Sequence, residues 1–401
     1  MSKASKAVGA KHPGPRRGAR ANAEATVLGF SPVVFRRRLS AWYREHAREL
    51  PWRGVDDPYA TWLSEIMLQQ TRVATVIDRY KGFLLRFPTI SDLAAADEDD
   101  VLALWSGLGY YRRARMLHRG ARFVEREMGG KLPCTAVELR TLPGVGEYTA
   151  AAIASIAFGE SVAVLDGNVE RVLLRLLGAG EKSARTRTRL VEIAQMLVPS
   201  VRRGHAAKSH RIAEPGAGER GNPAGDHNQA MMELGATICV PRAPLCMQCP
   251  VVEMCSTRGE HVTVGRAKMQ SRTVAYLLAL RKRGVETEVL LQRRAKDASL
   301  MAGMMELPAL VLEATEGREP ALRLRHAITN TNYYVQVFTE SVDAKVGVGV
   351  PVLLDQIPTA IDDLVWVTSM KLAQQPLTGL ARKTLQRLHV MTVPPLRVGL
   401  D

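Results

Sequence analysis

From about Ser31 to Ile238 apolar residues recur at three- and four-residue spacing, the signature of amphipathic helices. Trp62 with Ile66, and Leu63 with Met67, mark adjoining faces of one such helix, ahead of Phe83 and Phe87. Pro88, the Gly107-Leu108-Gly109 turn, Gly129-Gly130, Pro143-Gly144 and Gly178-Ala179-Gly180 cut the region into short pieces, so a compact, mainly α assembly is expected. Residues 203–225 carry three glycines and two prolines in 215–223 alone and read as a mobile insert. Beyond residue 271 the period changes. Val274–Leu280, Glu288–Gln292, Tyr333–Phe338 and Leu364–Val367 alternate like strands, and Lys383–Leu388 reads as a closing helix. The pattern therefore predicts a tail over 1–28, a helical domain over 29–258, a polar linker over 259–271, a smaller α/β domain over 272–392 and a tail over 393–401.

At 401 residues the chain is long for one core, which agrees with two domains. Its formal net charge of +15 implies a polyanionic partner, because each phosphate neutralised by Lys or Arg releases counterions. Nucleic acid is favoured over a membrane, since no apolar run approaches the roughly 20 residues that span a bilayer. Residues 1–20 hold Lys3, Lys6, Lys11, Arg16, Arg17 and Arg20 without an acid, as in a disordered basic tail. No secretory segment leads the chain, so a cytoplasmic, nucleoid-associated protein and a monomer are expected.

Four of the five cysteines, Cys239, Cys246, Cys249 and Cys255, fall within seventeen residues as C-x6-C-x2-C-x5-C. Thiolates are soft ligands, and unequal gaps suit a loop wrapped around a bulky iron-sulfur cluster better than the paired knuckles of a zinc ribbon. Zinc and two disulfides are the alternatives, the latter needing an oxidising compartment.

Three further segments carry candidate chemistry. Leu142-Pro143-Gly144-Val145-Gly146 precedes Tyr148-Thr149-Ala150 and has the form of a helix-hairpin-helix corner. Glycine lets backbone amides approach a phosphate, and the following helix N-terminus adds a favourable dipole. Asp166-Gly167-Asn168-Val169 puts a carboxylate at the opening of a helix, where its plain role is an N-cap. Glu65 stands among large apolar residues, and burial there would raise its pKa and fit it to act as a general acid at neutral pH.

The segments Trp62–Val73, Leu104–Arg115, Leu142–Ile153, Asp166–Arg175, Asn228–Cys239 and the four-cysteine loop resemble the MutY-type adenine DNA glycosylases, helix-hairpin-helix enzymes related to endonuclease III. More faintly, Leu291–Arg294, Leu300–Pro308 and Arg325–Phe338 resemble that family's Nudix-like lesion-recognition domain. The resemblance implies a [4Fe-4S] cluster on the four cysteines, double-stranded DNA with adenine opposite 8-oxoguanine or guanine as substrate, and hydrolytic excision of the flipped adenine. It implies that Glu65 protonates the base, that Asp166 stabilises the sugar cation, and that Tyr148 and Asn168 shape the pocket and assist Asp166. Arg53 would line the pocket. Gln70, Thr71, Leu108 and Tyr110 would fill or brace the gap left by the extruded base, and Gly144 and Gly146 would meet the DNA backbone. For Tyr111 core packing is the expectation. The lyase-active relatives carry lysine where Tyr148 stands, and tyrosine supplies no amine for a Schiff base.

Two departures bear on specificity. The family's Phe-Ser-His loop aligns with Ile328-Thr329-Asn330, where Thr329 and Asn330 keep hydrogen-bonding capacity for the lesion. His227 replaces a phenylalanine, which predicts altered local packing. A related glycosylase acting on another damaged base, or an inactive iron-sulfur DNA-binding module, are the alternatives.

Overall fold

The computed structural model describes residues 24–179, 184–200, 222–260, 269–298, 300–328, 330–342, 353–358 and 363–391. Its helices are α1 (Pro32–His46), α2 (Pro58–Leu68), α3 (Val73–Arg86), α4 (Ile90–Ala95), α5 (Glu98–Trp105), α6 (Arg112–Met128), α7 (Ala136–Leu139), α8 (Glu147–Phe158), α9 (Gly167–Leu177), α10 (Ala184–Leu197), α11 (Pro223–Thr237) and α12 (Gly379–Arg387). The strands are β1 (Gln270–Arg283), β2 (Glu286–Arg293), β3 (Met305–Glu306), β4 (Ala309–Leu310), β5 (Leu322–Ile328), β6 (Thr331–Ser341) and β7 (Leu364–Thr368). The expected basic tail over 1–23, most of the 203–225 insert, linker residues 261–268, Thr329 and the tail from 392 lie outside the described residues. Contacts divide the chain into two units: Met1–Glu49 with Cys134–Val137 and Glu147–Thr263, and Leu50–Pro133 with Glu138–Gly146 and Val264–Asp401.

In the first unit α1, α8, α9, α10 and α11 surround a core of Phe35, Leu39, Trp42, Val172, Leu173, Ile193 and Leu234. Each such side chain contributes roughly 1.5–3 kcal/mol by leaving water. Two buried polar residues fix the packing. Glu233 on α11 accepts from Arg48 at Nε (2.7 Å) and Nη2 (2.8 Å), a forked pair that specifies geometry as well as charge. Asn228, also on α11, accepts from the Val164 amide (3.3 Å) and donates to the Val162 carbonyl (2.8 Å), so the extended run before Asp166 is held without a sheet. The end of the supposed insert is helix, which corrects the loop reading of 222–225. Asn222 caps α11 by accepting from Gly225 N (2.9 Å), and Pro223 takes the first helical position, where its missing N–H costs nothing.

In the second unit α2 is central, with nine consecutive buried residues from Tyr59 to Met67. A helix apolar on every side has to be enclosed, and α3, α5 and α6 pack near it, with the Phe83 ring in edge contact with both Phe87 and Trp105. The same unit contains a seven-stranded sheet in the order β3-β2-β1-β6-β5, with β4 paired to β1 and β7 to β2. β1 and β6 run parallel from Gln270↔Thr331 to Leu280↔Ser341, and the other pairings are antiparallel. Alternation sends Leu278, Val289, Leu291, Val335 and Val337 to one face under Leu380 and Leu385 of α12. Leu277, Ala279, Leu290 and Phe338 go to the other. All four strands expected from the sequence are present, and α12 begins four residues before the expected closing helix. Tyr111 is buried, with its hydroxyl donating to the Leu377 carbonyl (3.0 Å), as core packing requires.

His227 is buried against Phe35, ring centroids 6.4 Å apart, and burial, aided by Arg36, brings its imidazole down to about 3. An unfolded histidine titrates near 6.5, so between those values the unfolded chain binds the extra proton and stability falls as pH falls. The slope from this one group reaches about 1.4 kcal/mol per pH unit. Denaturant unfolding of the protein from pH 7 to 4 should show this loss, and His227→Phe should flatten it; identical slopes would mean that the imidazole is not buried neutral.

Candidate active site and four-cysteine loop

Helix α9 carries the most ordered group of predicted site residues. Asp166 is its N-cap: Oδ1 accepts from Val169 N (2.7 Å) and Oδ2 from Asn168 Nδ2 (3.0 Å). Both carboxylate oxygens are thereby oriented by the first turn of the helix. The amide oxygen of Asn168 accepts in turn from Arg171 Nη2 (2.8 Å), which also donates to Gly235 O (2.6 Å), while Arg171 Nε donates to the Cys239 carbonyl (2.7 Å). A continuous relay thus joins the Asp166 carboxylate to the first of the four cysteines. One turn further along, Arg175 is 3% exposed and its guanidinium donates to the carbonyls of Val240 (2.7 Å) and Pro241 (2.8 Å) and to Cys239 Sγ (3.4 Å). Residues four apart lie on one helix face, so Arg171 and Arg175 grip the same stretch of loop.

The loop is irregular, with short 3-10 turns at Cys246–Gln248 and Val252–Met254. All four of its thiols are partly buried and free of disulfides. Burial pushes the Cys249 thiol up to about 11, helped by Cys239, Cys255 and Cys246, and burial likewise raises Cys246. The Cys246 and Cys249 thiols thus lie near enough to the other cysteines of the loop for their charges to interact. Yet among the described residues no three His, Cys, Asp or Glu side chains are gathered as tightly as ligands of a single ion. Donors reach the sulfurs from outside: Arg175 at Cys239, and the Arg258 amide at Cys255 (3.4 Å).

Tyr148, near the start of α8, is half-buried and its hydroxyl donates to Met232 Sδ (3.3 Å). Asp166, Asn168, Tyr148 and the cysteine loop belong to the first unit, whereas Glu65, Arg53, Gln70, Thr71, Leu108, Tyr110, Gly144, Gly146 and Asn330 belong to the second.

In the second unit Glu65 sits in the last turn and a half of α2 and is 6% exposed, as its apolar neighbours predict. Arg53 is half-buried in the turn after Leu50. A cavity of about 890 Å³ brings together Gln70, Leu108, Tyr110 and Gly144 with Met116, Leu300, Met301 and His326. Thr71 and Asn330 do not line it; Thr71 donates to Leu108 O (3.3 Å), and Asn330 is exposed, its carbonyl accepting from Gln270 N (2.9 Å). Gly144 has φ +77°, and a Cβ there would lie 2.4 Å from Met116 Cβ, so only glycine allows this corner. Gly146 is exposed beside it. Gln70 and Tyr110 also hold positive φ, 56° and 47°, which side-chain-bearing residues adopt only under constraint. Sequence reading missed Arg113, Arg171, Arg175 and His326. Nothing in the letters separates those arginines from their exposed neighbours, apart from the i, i+4 spacing of the pair on α9.

Gly235 is the close-approach point of α11 and α9: a Cβ there would lie 2.7 Å from Asn168 Cβ and 3.0 Å from its backbone. Gly235→Ala should therefore destabilise the protein by roughly 1–3 kcal/mol. It should also shift the side-chain amide resonances of Asn168 in labelled protein, and an unchanged spectrum would show that α9 yields at no cost to the Asp166 contacts.

Residues 63–199 match the family described as HhH-GPD superfamily base excision DNA repair protein. The chain is 48% identical over 237 residues to the adenine DNA glycosylase of Homo sapiens, covering 56% of this chain and 40% of that protein. It is 35% identical over 319 residues to that of Arabidopsis thaliana, covering 68% and 47%. With that of Mycobacterium tuberculosis it shares 39% over 227 residues, covering 55% and 66%. The chain thus spans less than half the length of the human and plant relatives. Through residues 63–199 it thus matches the HhH-GPD superfamily of base excision DNA repair proteins, and within that superfamily its resemblance is to the adenine DNA glycosylases.

Proposed function

We propose that this chain is a monofunctional adenine DNA glycosylase that removes adenine mispaired with 8-oxoguanine or guanine in double-stranded DNA. The observation that carries the reading is the Asp166 carboxylate, oriented by Val169 N and Asn168 in a chain 48% identical over 237 residues to the human adenine enzyme. A base inside a duplex is out of reach, so the adenosine is flipped out of the stack. Glu65, buried on α2, donates a proton to N7 of the extruded base, which turns adenine into a neutral leaving group. The C1′–N9 bond breaks with its electron pair going to the base, and the sugar becomes oxocarbenium-like. Asp166 stabilises that cation, Asn168 keeps its carboxylate turned to the sugar, and water adds at C1′ to leave an abasic site. Tyr148 shapes the pocket; with no amine there, hydrolysis ends the reaction without strand cleavage.

Gly144, Gly146 and the amides opening α8 are suited to a DNA phosphate, and Gln70, Thr71, Leu108 and Tyr110 to the gap in the stack. The sheet with α12 serves as the Nudix-like domain that reads the lesion, with Asn330 and His326 offering polar contacts in place of the family's Phe-Ser-His loop. Four disulfide-free, partly buried thiols in one short loop at the spacing C-x6-C-x2-C-x5-C fit a [4Fe-4S] cluster on Cys239, Cys246, Cys249 and Cys255. When bound, the cluster supplies a rigid cross-link of the loop rather than a reacting group. Arg171 would connect a loop so held to the site, donating from Nε to the Cys239 carbonyl and from Nη2 to the Asn168 amide oxygen, while Asn168 donates to Asp166.

Duplexes with adenine opposite 8-oxoguanine, guanine or thymine, incubated with the protein and then treated or not with alkali, test the reading. Cleavage at adenine only after alkali is expected, greatest opposite 8-oxoguanine; excision of another base in preference to adenine, or breaks without alkali, would overturn it. Asp166→Asn and Glu65→Gln should each lower single-turnover excision at neutral pH by at least about a hundredfold while DNA binding persists. Full activity in either variant removes that residue from the mechanism.

A further inference from the structure

Arg113, in the first turn of α6, donates through Nη1 to the carbonyls of Ile66 (2.8 Å) and Met67 (2.9 Å) at the end of α2. Through Nη2 it donates to Thr71 Oγ1 (2.9 Å), Leu108 O (3.1 Å) and Gly109 O (3.1 Å). Its guanidinium also lies over the rings of Trp105 (5.4 Å) and Tyr110 (5.6 Å). Burial brings it down to about 10, so the group remains charged at neutral pH.

These partners have one thing in common. The last turn of α2 has no basic residue of its own, and its open carbonyls meet the cation from α6 instead. From that anchor hang two tight loops, 69–71 and 107–110, each containing one exposed non-glycine residue in left-handed conformation, Gln70 and Tyr110. Tyr110 is 49% exposed, an aromatic ring presented to solvent at the cavity on a backbone that cannot relax while Arg113 holds it. A loop in that conformation is stable only when its surroundings over-determine it.

We infer that Arg113 is the positioning residue for base extrusion: it fixes Gln70 and Tyr110 as a rigid two-pronged wedge, so that the stack is opened by preformed side chains rather than by loops that must first be ordered. The inference rests on the reading of this chain as a base-flipping glycosylase. A lysine keeps the charge but cannot reach five acceptors in two directions, because its donors radiate from one nitrogen. The geometry, not the charge, carries the effect.

The test uses the full chain and the variants Arg113→Lys and Arg113→Gln on two substrates. One has adenine paired opposite 8-oxoguanine; the other has adenine in a one-nucleotide bulge, already out of pairing. Single-turnover excision from the paired duplex should fall on the order of a hundredfold in both variants, since a wedge displaced by about 1 Å loses its alignment. The bulged adenine, which needs little extrusion, should be excised within about threefold of the unsubstituted protein. A duplex with 2-aminopurine in place of adenine should lose most of its fluorescence rise on binding either variant. Equal slowing on both substrates, or no slowing on the paired one, overturns the inference. Should the unsubstituted protein excise adenine from neither duplex, the proposed function fails and hydrogen exchange decides only whether Arg113 holds the two loops. Protection lost in Arg113→Gln only over 69–71 and 107–110 upholds it, and unchanged or chain-wide loss overturns it.

Discussion

Irregular backbone that is buried has to place its carbonyls somewhere, and in this protein the partner is repeatedly an arginine. A helix or strand satisfies its own polar groups, but a tight loop beside a site does not, and each buried carbonyl left unpaired costs about 1–3 kcal/mol. The guanidinium answers this with five donors in one plane. Arg113 ties the end of α2 to two loops, Arg171 and Arg175 hold the stretch from Cys239 to Pro241, and Arg382 on α12 donates to Ser106 Oγ (2.6 Å) while Arg115 reaches the Ala302 carbonyl (2.5 Å). Remove the arginines and the helices would still form; the loops would lose their shape.

That division explains what the sequence disclosed. Helices α1 to α6 and the paired strands β1, β2, β6 and β7 follow from periodicity because their hydrogen bonds are local or repeat along the ladder. Asp166 was legible as an N-cap for the same reason: its partner Val169 is three residues away. The four cysteines were legible through spacing alone. Strand β5 was not, because Leu322, Leu324 and His326 alternate with Arg323, Arg325 and Ala327 in a run too basic to look like a strand, and only pairing with Val337 and Val335 defines it. Strands β3 and β4 are two residues each and owe their existence to neighbours. The opening of α11 was hidden inside glycine-rich sequence, although Asn222-Pro223 is a sound cap followed by a sound first residue.

The arginine contacts were illegible for a different reason. Arg112, Arg113 and Arg115 stand within four residues, and composition treats them alike. Arg112 is exposed, Arg113 serves five acceptors, and Arg115 pairs with Glu98 (2.7 Å). What separates them is direction around α6, and the acceptors that give the direction its meaning lie 4 to 47 residues away in the chain. A site built on such contacts is specified by tertiary structure, and its residues look ordinary until the fold is known.

The same observation alters the meaning of the basic charge. A formal +15 invites the conclusion that the whole excess faces a polyanion, since counterion release scales with the phosphates contacted. Arg113, Arg171, Arg175 and Arg382 contribute four of those charges, yet their donors are directed to carbonyls, two hydroxyls and a thiol of the protein. They cannot displace cations from DNA without abandoning the loops they hold. For the DNA proposed as substrate, what remains among the described arginines is the exposed set, including Arg72, Arg112, Arg119, Arg242 and Arg258. Salt dependence of the proposed binding would therefore draw on exposed cations and not on these four, whereas the inner arginines act on the order of the loops, and a substitution of either kind changes net charge by the same single unit.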